Sequence, residues 1–500
     1  MGRRCLRYGL PAFIGTMLIA VAPVCLAQTR AAQLPLSGAS QPAGTVNVNG
    51  ELSSNGSNTI NNSIQIQGPY SGSVLSGEAT AEPLKIALSV AVERGIQFNL
   101  GSILYGNATQ LAHGQARAAR SALLPNLTAG VSPTAQQLSL DQFGFRLSGV
   151  PTVVGPFNYF TAGVTLNQTV ADVTAWRNYR AARENVEAAR FSTLDARDVV
   201  AMAVGGAYLE VIAYAARVTS AQAQVALAEA VYQQALDRHS AGLNAQIDVT
   251  RTRVELQTQQ QRLTTAENDL AKSKISLARL IGLPAAQPLE LTDNPPYSPL
   301  DSYGLDNAIS DARRCRSDLK ASAAQLRAAK EARGGAAAER LPSVAMTTTY
   351  GATGRNPAHA NGTFIATASL RIPIFEGGRI AAEVVQADAA LAQRNAEYSE
   401  LSARIDAEIR VAFLDLRASA SQVAVAESSV ALARDTLRQA RDRFAAGVAD
   451  TIEVVQAQES LASAEADYIS SLFSNNLAKI SLARATGQTL EKTRQFLNIP

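Results

Sequence analysis

The chain is poor in the side chains that most often make and break bonds. Its three histidines, His113, His239 and His359, lie far apart, and its cysteines are Cys5, Cys25 and Cys315. It has neither a phosphate-cradling loop nor a nucleophile motif, and no spacing that suits a metal. No enzymatic activity, metal or cofactor is expected. The pattern that asks for an explanation is acidic. DRHSAGLNAQID begins at Asp237, and DRFAAGVADTIE begins at Asp442, 205 residues later. Each puts a glycine in a turn, Gly242 beside Leu243 or Gly447 beside Val448. Each then puts an acid, Asp248 or Glu453, one helical turn inside the returning segment. Asp450 adds a second acid in the later copy, where it could instead cap a helix, and Gln456 follows Glu453 by three residues. His239 becomes Phe444 in that copy, which argues against catalysis. One exposed carboxylate does little, whereas several converging on a constriction focus a negative potential and favour cations. That chemistry requires elements that bring copies of the acid together.

Composition narrows the choice of elements. The 500 residues are 17% charged and 5% aromatic, which suits long helices packed through small side chains. The N-terminus has the layout of an export signal, residues 1–27: Arg3, Arg4 and Arg7, an apolar run, then small residues before a cleavage site after Ala27. The apolar run is shorter than the roughly 20 residues a span needs. Cys25 could suggest a lipoprotein, but Ala22-Pro23-Val24 lacks the residues lipidation expects. Removing the leader takes away three of the charges behind the formal +3, so the mature chain is near neutral and has no electrostatic reason to bind nucleic acid. Only Cys315 then remains, so no intrachain disulfide is expected. No later stretch reads as a helical span, so the exported chain is secreted, periplasmic, or in an outer membrane as a β-barrel. Residues 28–82 are rich in Asn, Gly and Ser, with short alternating runs TVNVNG and SIQIQG. They read as a flexible extension or as strands against the main body.

The repeat reaches well beyond the acids. Lys274-Ile-Ser-Leu-Ala-Arg279 recurs as Lys479-Ile-Ser-Leu-Ala-Arg484, and Gly282 as Gly487. Upstream, Leu124-Pro125 recurs as Leu341-Pro342 at an offset of 217. Two related halves follow, 83–284 and 302–488, joined by a linker at 285–301 and followed by a tail at 489–500. The change of offset falls in the loops 139–157 and 353–362. Each half opens with a helical stretch, 84–122 or 303–340. A strand segment, a turn-rich loop and a returning strand come next; in the second half Phe364, Ala366, Ala368, Leu370, Ile372 and Ile374 share one face. A very long helix follows, 174–240 or 379–445, then a break at Gly242 or Gly447, then a second helix ending at Gly282 or Gly487. About 65 residues at 1.5 Å each make a helix of roughly 100 Å.

A heptad seam runs along the long helices: Val204, Tyr208, Val211, Ala215, Val218, Gln222, Val225, Glu229, Tyr232 and Leu236, then Ile409, Phe413, Leu416, Ala420, Val423, Glu427, Val430, Arg434 and Leu437. This spacing is that of a coiled coil. The polar members read as solvated seam positions or as contacts with a water-filled space. Four strands cannot close a barrel alone, and open edges are not tolerated in a membrane. Three copies would supply twelve strands, enough for a channel.

In this order of elements the chain resembles the TolC-like outer-membrane efflux proteins, over about 83–488. LKIALSVAVERGIQFN at 84 is similar to the family's first-helix signature. LDNAISDARRCRSDLKA at 305 is similar to its second-half copy, with Arg316-Ser317-Asp318-Leu319 where the family has Arg-Pro-Asp-Leu. IPIFEGGRI at 372 is similar to the strand-to-helix junction, which TLNQTVADVTA in the first half does not match. The resemblance implies a fold that is mainly α with membrane β: a homotrimer with a twelve-stranded barrel among outer-membrane lipid, continued by a periplasmic α-helical barrel. It implies an exit duct of a tripartite pump or type I secretion system, with no catalysis of its own. A periplasmic adaptor would link it to an inner-membrane pump, docking at tips that include Gly242, Leu243, Gly447 and Val448. Asp248, Asp450, Glu453 and Gln456 would lie at the entrance; Gln456 stands where some members have a second acid. A non-channel periplasmic coiled-coil structural or adaptor protein is the alternative of another class. It leaves the paired strands and the matching Leu-Pro starts unexplained.

Overall fold

A computed structural model describes residues 46–50, 62–144, 151–243, 245–293, 297–300 and 303–498. The leader with its cleavage site at Ala27 lies outside the described residues, as does most of the stretch up to 61. Strands β1 (Val46–Gly50) and β2 (Asn62–Ile66) pair antiparallel and lie beside the long helix α3 (Val173–Ser240). Residues 72–76 then lace the chain down: Val74 N–H donates to Phe98 O at 2.8 Å, Gly72 O accepts from Leu100 N–H at 3.0 Å, and Ser76 N–H donates to Gly282 O at 2.9 Å.

The first helical stretch of each half is broken in two. In the first half a short strand β3 (Leu84–Ile86) precedes α1 (Leu88–Phe98) and α2 (Leu100–Ser121), so 84–122 is not one helix. Asn99 makes the break: its backbone is extended and its side chain accepts from Gly101 N–H at 2.9 Å, capping α2. Strand β3 pairs in parallel with β6 (Leu289–Leu291) from the linker. In the second half Arg316 breaks the helix between α5 (Leu305–Cys315) and α6 (Ser317–Ala338). Both breaks interrupt an otherwise continuous apolar periodicity with a single residue, too little to stand out in the sequence.

Four long strands form one antiparallel sheet: β4 (Asn126–Ser139), β5 (Val153–Ala171), β7 (Ser343–Gly354) and β8 (Ala360–Arg371), in that spatial order. The extra residues of the first half lengthen its strands, so part of 139–157 is strand and not loop. Strand β8 stops at Arg371, so Ile372 and Ile374 do not continue its face. Pro373 has no N–H for a ladder. Ile374 is 94% exposed.

The long helices are α3 and α7 (Arg379–Ala445), 68 and 67 residues, and their returning partners are α4 (Gln246–Leu280) and α8 (Thr451–Ala485). Near the sheet, α3 packs on α2 through Ala112, Ala116, Ala182 and Val186. It is tied to α6 by Arg177–Glu331 at 2.7 Å and Arg327–Glu184 at 2.7 Å. Further from the sheet, α7 and α8 share a core of Val430, Leu437, Phe444, Val454 and Leu461. The main core lies between these regions, where Ile86 and Leu88 meet Val200, Val204, Tyr208, Leu277, Leu477 and Ile480. The Tyr208 hydroxyl there donates to Ile86 O at 3.0 Å, and α9 (Thr489–Leu497) adds Leu497.

Two readings of the helices need correction. The buried seam of α7 keeps Ile409, Leu416, Val423, Val430 and Leu437, but alternates them with Ala412, Ser419, Ala426 and Ala440. In α3 the distal buried positions are Ala221, Ala228, Val231 and Ala235. Gln222, Glu229, Glu427 and Arg434 therefore sit on exposed faces of the chain. Small residues let the helices approach closely, and a search weighted to large apolar side chains steps one residue past them. The second correction concerns hydropathy. One stretch of α3 is long and apolar enough for a membrane helix, and most of it is buried inside the chain. That apolarity faces the core belt.

Candidate functional site: helical tips, acidic turns and the two faces of the sheet

The helix ends that meet the two glycines share one geometry. At the end of α3, Gly242 N–H donates to His239 O and Leu243 N–H to Arg238 O, both at 2.9 Å. At the end of α7, Gly447 N–H donates to Phe444 O and Val448 N–H to Arg443 O, both at 3.0 Å. Bonds reaching back five residues close a helix only when the residue after the cap is left-handed, and Gly242 and Gly447 have φ of +72° and +77°. Leu243 and Val448 protrude beyond them, 69% and 67% exposed.

The acids occupy the next turn. Asp248 and Glu453 stand in the first turns of α4 and α8, where helix dipoles favour them. Asp248 pairs with Arg251 at 3.7 Å and Glu453 with Arg443 at 3.6 Å. Asp450 holds the N-cap position of α8, and its carbonyl accepts from Glu453 N–H at 3.1 Å, but its carboxylate makes no capping hydrogen bond. It is exposed, as is Gln456. The sequence reading missed Arg238. Its guanidinium donates to Phe444 O and lies 4.7 Å from the centre of the Phe444 ring, so it joins the two tips of one chain. The recurrence of Asp-Arg in both repeated stretches was the available signal.

At the other end, strand register sorts the sheet into two faces. Ala129, Val164, Tyr350 and Phe364 stand in one cross-strand row, and Leu127, Leu166, Thr348 and Ala366 in the row two residues away. The alternate rows are Thr128, Thr165, Thr349 and Ile365, then Asn126, Asn167, Thr347 and Thr367. One face is thus mostly apolar and the other mostly hydroxyl and amide. Thr165 and Thr349 hydrogen-bond across it at 3.1 Å, and Thr347 donates to Asn167 at 3.0 Å. Strands β4 and β8 are the sheet's edges, each paired on one side only.

Between tips and sheet, buried and half-buried charges clamp elements of both halves. Arg316, at the break before α6, pairs with Asp318 at 2.6 Å and with Glu408 of α7 at 2.5 Å. Arg484 of α8 pairs with Asp195 of α3 at 2.5 Å. Burial pushes the carboxyl of neighbouring Asp198 up to about 6, against the pull of Arg484. Lys479 is fully buried, donates to Ser298 O at 2.6 Å, and is held down to about 8 by desolvation. Among the described residues no three His, Cys, Asp or Glu side chains converge on a common point.

Known proteins share this arrangement. The family model described as outer membrane efflux protein matches residues 108–283 and 308–488, one segment in each half. Pyoverdine export outer membrane protein OpmQ of Pseudomonas aeruginosa is 26% identical over 405 residues, covering 77% of this chain and 82% of its own. Protein CyaE of Bordetella pertussis is 28% identical over 338 residues, covering 64% and 71%. Among solved structures, outer membrane protein VceC of Vibrio cholerae superposes with a TM-score of 0.69 at 21% identity, over 81% of this chain and 97% of its own. The Campylobacter jejuni CmeC outer membrane channel gives 0.70 at 17% identity, over 82% and 88%. With a matched segment in each half, and helices and sheet in the arrangement of those channels, the chain belongs to the outer membrane efflux protein family and resides in the outer membrane.

Proposed function

We propose that three copies of this chain close a twelve-stranded barrel and continue it as a helical tube. This assembly is the exit duct of a tripartite efflux or type I secretion system. The observation that carries the reading is the sheet: two unpaired edges, one apolar face and one polar face. An open edge in hydrocarbon costs several kcal/mol per unsatisfied backbone group, so edges β4 and β8 need partners there. Joining β8 of one copy to β4 of the next turns every apolar row towards lipid and every Thr/Asn row towards a lumen.

The helices support the same closure. Ile247, Val254 and Ile275 of α4 are exposed and fall on one heptad stripe. Val411, Val425 and Leu432 of α7 do the same. Helices α4 and α7 flank the distal helical layer, where α3 packs on α4 and α7 on α8. Two unpartnered stripes at opposite flanks suit contact between neighbouring copies. Conduction through such a tube is passive and uses no catalytic group. The tips around Gly242, Leu243, Gly447 and Val448 present bare backbone turns and two apolar side chains, a surface that a periplasmic adaptor could cover. The adaptor would in turn reach an inner-membrane pump. Cysteines placed on facing rows of β4 and β8 should cross-link copies into covalent trimers in outer-membrane fractions. A soluble helical monomer without membrane association would sink the reading and favour a non-channel coiled-coil protein.

A further inference from the structure

The single tryptophan of the chain stands where the sheet gives way to helix. Strand β5 ends at Ala171, and Trp176 lies in the first turn of α3. It is 45% exposed, and Val170 and Val173 next to it are exposed too. Two guanidinium groups lie over its ring, Arg177 at 5.5 Å and Arg180 at 4.9 Å. Both arginines lean on one acid, Glu331 of α6, each at 2.7 Å. The flanking helices add more positive charge. Packing of Ala112 and Ala116 on Ala182 and Val186 sets the last turn of α2, with Arg120, beside the first turn of α3. On the other side the Thr174 hydroxyl donates to Gly335 O at 3.4 Å, which brings the end of α6, and Arg340 after it, to the same level. Arg120 and Arg340 are exposed, and neither enters an ion pair among the described residues. Asp172 spends its carboxylate on capping α3, accepting from Ala175 N–H at 3.0 Å, and Glu339 is paired with Arg379 of α7.

Resting on the reading of the sheet as a membrane barrel, we propose that Trp176, Arg177 and Arg180, flanked by Arg120 and Arg340, form a site for anionic phospholipid headgroups. These belong to the leaflet on the helix side of the barrel. The headgroup layer beyond the hydrocarbon is roughly 5–7 Å deep, about one turn of helix, so the first turn of α3 lies within it. An indole suits that layer, with its apolar body towards acyl chains and its N–H towards polar groups. Guanidinium groups match phosphodiester oxygens in shape and charge. Arg177 and Arg180 each spend one nitrogen on Glu331 and keep their other donors. Arginines in excess over acids favour a lipid with net negative charge over a zwitterionic one. The assembly leaves this face open: α3 lies between α2 and α6 of its own chain, while neighbouring copies meet at the β4 and β8 edges. The site also continues the apolar face of the sheet, which turns towards the same lipid.

The test uses the full chain in vesicles of unlabelled phosphatidylcholine and reads the emission of Trp176, which no other tryptophan obscures. Trace phosphatidylglycerol or phosphatidylcholine is added, each with a nitroxide at the top of an acyl chain. The expected result is quenching by both lipids, about fivefold stronger per label for phosphatidylglycerol. The Arg120→Gln/Arg340→Gln variant should fall to near parity between the two lipids. Both side chains are exposed, so the variant should keep the native mass of the wild type. Equal quenching of the wild type by the two lipids overturns the headgroup site and leaves Trp176 as an interfacial anchor. A preference that survives the double substitution overturns the assignment of Arg120 and Arg340. Emission quenched by acrylamide and by neither lipid puts the indole in the lumen and overturns the site, while a trimeric native mass on the same sample leaves the duct standing. A monomer that does not associate with vesicles overturns the duct reading and the site with it.

Discussion

Asp198 shows how a single residue can work against the fold that holds it. It lies in α3, buried beside the Arg484–Asp195 pair. Burial raises its carboxyl from 3.8 to about 6. An acid whose folded value is raised binds its proton more tightly in the native state. Its contribution to stability is therefore fully favourable below about 3.8 and is lost as pH rises through about 6. Near neutral pH the charged form persists at a desolvation cost of up to about 3 kcal/mol. Asp198→Asn keeps the size of the side chain and removes the charge. Its melting temperature should exceed the wild type's at neutral pH, and the two should converge as pH falls to about 4; parallel curves would refute the assignment. Little of this network could be read in advance. Arg316-Ser317-Asp318 was visible as a signature, but Glu408, Asp195 and Arg484 come from three other helices, and no local pattern ties them together.

At the scale of elements, glycines that end helices separate two effects usually met together. Gly242 and Gly487 have nearly the same conformation, φ of +72° and +73°. Their surroundings differ. A Cβ on Gly242 meets nothing within 4 Å among the described residues, whereas one on Gly487 falls 2.7 Å from the Arg316 backbone. Gly242→Ala therefore incurs only the left-handed penalty, about 1–2 kcal/mol. Gly487→Ala should lose about 1–3 kcal/mol more, because the backbone that carries the Arg316 ion pairs must move. Thermal melts of the two variants measure the difference, and equal losses would mean that Arg316 yields freely. The glycines were legible because each closes a periodic run, and the long helices because their apolar spacing persists for many turns. The seam's register was less legible. In an alanine-rich helix the buried row is marked by small size more than by hydrophobicity, so the sequence favoured Phe413 and Ala420 over Ala412 and Ser419.

The whole molecule gives the acids their meaning, since only an assembly can turn one carboxylate into a ring. The sequence showed the order of elements and the need for several copies, because four strands with two bare edges are incomplete under any reading. It did not show which strand rows face together, since β5 and β7 come from different halves and their register is a tertiary fact. In the proposed trimer Asp450 and Glu453 each recur three times at the end farthest from the sheet. Asp450 is exposed and spends no hydrogen bond on capping, so its charge is available to the entrance. Glu453 is only loosely paired with Arg443, at 3.6 Å. Converging carboxylates should make the reconstituted channel prefer cations and be blocked by multivalent cations added at the tip side. Replacing both, Asp450→Asn with Glu453→Gln, should weaken selectivity and block together while trimers and melting temperature stay close to wild type, because neither side chain is buried. Single-channel recordings with multivalent cations on each side in turn measure this directly. If the double variant is blocked as strongly as wild type, the acids face away from the axis, and the entrance takes its charge from elsewhere in the tube.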